Sequence, residues 1–133
     1  GAEYGSTTGR ARRCGWFDAV SVRYSAMING IRRIAITKLD VLDSFERIPV
    51  CTGYLLGGKP LKLFPTDVKT LEAVVPHYES LDGWNAPTGR ARKYADLPPN
   101  AQAYVETLGS LTGTRVHMIS VGPGRDQTIP AEG

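Results

Sequence analysis

From Asp18 onward, Val20, Tyr24, Met27 and Ile28 recur at helical spacing and stop at Asn29-Gly30. This predicts a helix capped by Asp18, with those side chains facing inward. Ile31 to Thr37 is short and β-branched and reads as a buried strand ending at Lys38. Arg47–Leu56 and Lys59–Phe64 are two extended runs joined by Gly57-Gly58, a hairpin signal, because the turn needs φ > 0 at both positions. Ile48, Val50, Thr52, Tyr54 and Leu56 share one face of the first run. A second helix is expected from Thr66 or Asp67, burying Val68, Leu71, Val74, Val75 and Tyr78, with Pro76 ending or kinking it. Residues 82–97 read as a surface loop. Asn100–Thr112 reads as a third helix with Tyr104, Val105, Leu108 and Leu111 inward, and Val116–Val121 as a last strand opening into Gly122-Pro123-Gly124. Strands that each lead into a polar loop suggest part of an α/β sheet, whose ligands bind beyond the carboxyl ends of the strands.

The chain has 133 residues, which fits one domain over 1–133 and is too short for a large multi-domain enzyme. A net charge of +3 suits an anionic ligand and is too small to imply duplex nucleic acid by itself. Cys14 and Cys51 lie far apart with no CxxC motif, which points to two buried thiols in a reducing compartment. No apolar run approaches a membrane span, and Gly1–Gly5 shows no secretory leader pattern, so a cytoplasmic protein is expected.

Three segments carry candidate chemistry. Thr37-Lys38-Leu39-Asp40 directly follows a predicted strand. An aspartate there can accept from guanine N1–H and the exocyclic amine, a donor pair adenine lacks, while a lysine stem lies along the ring. Ser6-Thr7-Thr8-Gly9-Arg10-Ala11-Arg12-Arg13 combines hydroxyls, a glycine and three arginines, whose planar forks pair bidentately with carboxylate or phosphate. Ile119-Ser120-Val121-Gly122-Pro123-Gly124-Arg125-Asp126 can set main-chain N–H and C=O groups against a base edge; alone it reads as a turn.

Taken together, these segments resemble one family. The run Glu3-Tyr4-Gly5-Ser6-Thr7-Thr8-Gly9-Arg10-Ala11-Arg12-Arg13-Cys14-Gly15-Trp16-Phe17-Asp18 resembles the substrate-loop signature of the adenylosuccinate synthetases, so 1–18 is expected to be that loop. Thr37-Lys38-Leu39-Asp40-Val41-Leu42-Asp43, the helix start at Leu97–Tyr104 and the Ile119–Arg125 tail are similar to it in order and spacing. The resemblance fades after Gln127. It implies a carboxyl-terminal portion of an α/β enzyme with a mostly parallel P-loop-type sheet, here with a β-hairpin over 47–64, about three helices, and a final strand and guanine-side loop over 114–125.

The resemblance further implies GTP-dependent joining of IMP and L-aspartate to give adenylosuccinate, through a 6-phosphoryl-IMP intermediate with Mg²⁺ on the phosphates. Ser6, Thr7, Thr8, Gly9, Arg10, Ala11 and Arg12 would form the aspartate loop. Arg10 would touch IMP and Arg12 would reach GTP. Lys38, Leu39 and Asp40 would hold guanine, and Ser120, Val121 and Gly122 would line its other side. A homodimer is implied, with no nucleic-acid or membrane partner.

No phosphate-loop motif occurs; Gly57-Gly58-Lys59 lacks its spacing. Neither His77 nor His117 falls in a matching motif, so no catalytic or metal-binding residue is assigned, and the Mg²⁺ site is expected in a preceding amino-terminal portion. The isolated chain is therefore expected to lack synthetase activity. The competing reading is a stand-alone basic nucleotide- or RNA-binding module using Arg10, Arg12, Arg13 and the Arg90–Lys93 cluster.

Overall fold

The computed structural model describes residues 15–131. Its strands are β1 (Phe17–Asp18), β2 (Arg33–Ile36), β3 (Arg47–Leu56), β4 (Lys59–Pro60), β5 (Val75–Asp82), β6 (Arg115–Ser120) and β7 (Thr128–Pro130). Its helices are α1 (Ala19–Asn29), α2 (Val68–Ala73) and α3 (Pro99–Thr112), with a short 3-10 turn at Leu39–Leu42 after β2. The α/β class stands, and the strands form two mixed sheets. In one, β2 pairs in parallel with β6, and β7 runs antiparallel on β6. In the other, β3 is central: β1 lies parallel to it, while β4 and β5 lie antiparallel.

Local chemistry explains most of these elements. Asp18 accepts the Ser21 N–H at 3.0 Å and caps α1, as its position predicts. The hairpin turn has Gly57 at φ 59° and Gly58 at φ 82°, which side chains with a Cβ rarely adopt. Its second strand is shorter than expected, only Lys59–Pro60. Ile34, Ile36, Ile48, Val50, Leu108 and Ile119 are fully enclosed and join the two sheets and α3 in one core.

Two expectations are corrected. The buried face of α1 is Ala19, Val22 and Ala26, whereas Met27 and Ile28 are exposed. Small side chains let α1 approach α3 and β3 closely, so proximity decides the face rather than side-chain size. The second helix stops at Ala73 and buries none of its residues, and Val75–Asp82 is a strand. Residues 47–55 of β3 are paired by β5, and that ladder outweighs the helical spacing of Val75 and Tyr78. Pro76 sits opposite Tyr54 on a strand that, among the described residues, is paired on one side only, where a missing N–H is tolerated. His77 therefore lies on a strand, exposed.

Beneath β1 the Asp18 carboxylate is buried. It also accepts the Tyr54 hydroxyl at 2.5 Å. Tyr54→Phe should cost about 1.5–3 kcal/mol, because it removes a donor from a buried charge. Urea unfolding checks this, and an unchanged midpoint would contradict it.

Cys51 lies in the same cluster. Burial pushes its thiol up to about 12, and the nearby Asp18 charge acts in the same direction. Burial and the bond to Asp18 also raise the Tyr54 phenol, and burial raises Tyr104. A folded state that keeps a proton the unfolded chain releases loses stability as pH rises. Stability should hold up to the ordinary thiol value of 9.0 and then fall toward pH 12. The thiol alone contributes up to about 1.4 kcal/mol per pH unit. Urea midpoints at rising pH measure the decline, and Cys51→Ala should flatten its first part. Cys14, the other thiol, lies outside the described residues.

Candidate guanine-recognition site

β2 and β6 run in parallel and end together, with Ile36 opposite Ile119. Two of the candidate segments therefore leave the sheet side by side at its carboxyl edge. The Lys38 N–H donates to Ser120 Oγ at 2.8 Å and ties them across 82 positions of sequence. Lys38 adopts a left-handed backbone, φ 59° and ψ 40°, sparsely populated for a residue with a Cβ. That conformation turns the chain out of β2 and into the 3-10 turn, where Val41 N–H returns to Lys38 O at 3.1 Å.

Leu39 is completely buried and anchors the turn in the core, leaving Lys38 exposed and Asp40 half-buried. Among the described residues, Asp40 Oδ1 is buried without a hydrogen-bond partner. A buried acceptor with no donor loses hydration without compensation, so the site favours a ligand bearing N–H groups. On the other side, Val121 is buried, and Ser120 and Gly122 are half-buried. The structure thus brings Lys38, Leu39 and Asp40 together with Ser120, Val121 and Gly122. Ser6, Thr7, Thr8, Gly9, Arg10, Ala11 and Arg12 lie outside the described residues.

Asp43 emerges as a further structural residue of this region. Its Oδ1 accepts Trp84 Nε1–H and the Thr88 hydroxyl, each at 2.8 Å, and its Oδ2 accepts the Thr88 N–H at 2.8 Å. One carboxylate at the end of the turn thereby fastens the loop between β5 and α3. His117 lies in β6 with Nδ1 3.1 Å from Ile34 O, so it bridges β6 to β2. Among the described residues no group of three or more His, Cys, Asp and Glu is placed to hold a metal ion. No helix among them is long and apolar enough to cross a membrane.

The family model for adenylosuccinate synthetase matches residues 1–129. The chain belongs to the adenylosuccinate synthetase family. It is 56% identical to the adenylosuccinate synthetase of Chlorobaculum parvum over 129 residues and 54% identical to that of Chlorobaculum tepidum. Each match takes in 97% of this chain and 30% of the relative, so the chain spans about 30% of the length of these synthetases. Its fold is similar to that of the fully ligated adenylosuccinate synthetase from Plasmodium falciparum. The TM-score is 0.80 at 32% identity, over 87% of this chain and 28% of that one. The synthetase resemblance read from the motifs and the mixed α/β fold thus agree.

Proposed function

We propose that this chain supplies the guanine-reading and aspartate-holding part of an adenylosuccinate synthetase. The observation that carries the reading is the convergence of Lys38–Asp40 and Ser120–Gly122 at one sheet edge, tied by the Lys38–Ser120 hydrogen bond. Asp40 would accept from guanine N1–H and the exocyclic amine, and the Lys38 stem would cover the ring. Ser120, Val121 and Gly122 would present main-chain groups to the opposite edge. A charged acceptor facing two donors discriminates strongly, because adenine would leave that carboxylate unpaired.

In this reading the arginines of Ser6–Arg12 hold the aspartate substrate: Arg10 also touches IMP, and Arg12 also reaches GTP. Guanidinium forks suit a dicarboxylate and neighbouring phosphates. The reaction is the GTP-dependent ligation of IMP and L-aspartate, a step of purine biosynthesis. The described residues offer no metal cluster. No described residue is proposed to hold Mg²⁺ on the phosphates or to act as the general base. A homodimer in the cytoplasm completes the proposal.

Positioning of the phosphates dominates phosphoryl transfer, and this sequence has no phosphate-loop motif. The chain alone should therefore form no adenylosuccinate from GTP, IMP and aspartate with Mg²⁺, while still retaining GDP in equilibrium dialysis. Product formation would overturn the assigned division of labour. Failure to retain GDP at millimolar concentration would overturn the guanine site.

A further inference from the structure

The turn Gly122-Pro123-Gly124 must hold its shape if its main chain is to read a base, and its hydrogen bonds within the described chain run through one residue, Gln127. The Gln127 backbone N–H donates to Gly124 O at 3.0 Å, and its carbonyl accepts the Val121 N–H at 2.8 Å. Its side-chain Oε1 accepts the Gly124 N–H at 2.9 Å, and Nε2 donates to Gly89 O at 3.1 Å. The carboxamide lies so close under Gly122 that a Cβ there would fall 2.2 Å from Nε2. Gly122 is thus the residue that admits the amide, and the amide fills the space beneath the turn.

The contacts continue on both sides. Gly89 follows Thr88, whose hydroxyl and N–H are held by Asp43 at the end of the Leu39–Leu42 turn. Lys38, at the start of that turn, is held by Ser120. Lys38, Ser120, Gln127, Gly89, Thr88 and Asp43 therefore close a ring that links the two segments at both ends. Only a carboxamide fills the Gln127 position fully, because it must accept from one main chain and donate to another.

We infer that Gln127 is a positioning residue for base recognition, holding the Ser120–Gly124 main chain at the purine edge opposite Asp40. This inference rests on the guanine reading proposed above. The two edges are chemically separable. Guanine and hypoxanthine share the O6 edge, whereas only guanine carries the exocyclic amine that Asp40 would accept.

Titration of the 133-residue chain with GDP and with IDP separates the roles. Gln127→Ala should weaken both nucleotides by a similar factor, about five- to tenfold, and keep their ratio. Asp40→Ala should collapse that ratio toward one. Gln127→Glu keeps the acceptor for Gly124 but sets an oxygen against the Gly89 carbonyl, so its loss should be intermediate. Wild-type GDP affinity in Gln127→Ala would overturn the inference. So would a Gln127→Ala loss confined to GDP. If Gln127→Ala fails to fold by circular dichroism, Gln127→Glu decides, and wild-type affinity there overturns the inference. Absence of GDP binding by the wild-type chain would instead remove the guanine reading, and the inference with it.

Discussion

Asp40→Asn should weaken GDP binding by roughly a hundredfold and leave the fold intact. The carboxylate is assigned two charge-assisted hydrogen bonds to guanine, each about twice as strong as a neutral one. Asparagine keeps one acceptor and turns an amide donor toward a donor of the base. The lost attraction and the added repulsion act together, about 1–3 kcal/mol each. Because Asp40 Oδ1 has no hydrogen-bond partner among the described residues, replacing the carboxylate should not destabilise the protein. The same substitution should favour a xanthine nucleotide, which carries a carbonyl where guanine carries the amine. Calorimetric titration with GDP and XDP measures both arms. Equal GDP affinity in wild type and variant would remove Asp40 from the site.

Asp43→Ala has the opposite signature. The carboxylate holds Trp84 Nε1–H and both the N–H and hydroxyl of Thr88, a residue only 1% exposed. Truncation leaves these donors without their acceptor inside the protein, a loss of about 2–4 kcal/mol. Urea unfolding should shift to a lower midpoint, and the loop over residues 84–89 should exchange its amide protons faster. Asp43→Asn retains an acceptor oxygen and should recover part of the loss. An Asp43→Ala chain as stable as wild type would mean that the loop is held by other contacts. The two aspartates lie three positions apart on one turn, yet one should govern affinity and the other stability.

Much of this was legible in the sequence. Asp18 as a cap, the Gly57-Gly58 turn and the inward residues of α3 each follow from short-range chemistry that the surroundings reinforce. The pairing of Lys38–Asp40 with Ser120–Gly122 was legible only through motif order, since no local signal joins residues 82 positions apart. Val75–Asp82 misled because its apolar spacing also fits a helix, and the deciding contact is a distant strand, β3. Met27 and Ile28 misled because large apolar side chains suggest a core face even where Ala19 and Ala26 make the close approach. The roles of Asp43 and Gln127 left no trace in the pattern. A polar side chain that bonds to distant main chain looks like any exposed polar residue until the fold is known.

The most direct test follows the backbone amide shifts of the isotopically labelled chain during titration with GDP, and with ADP as the control. A guanine site predicts saturable shifts centred on Lys38, Leu39, Asp40, Ser120, Val121 and Gly122, with little response to ADP at the same concentration. Shifts centred on Arg90, Arg92 and Lys93, equal for both nucleotides and abolished by moderate salt, would contradict it and mark a general anion-binding surface instead.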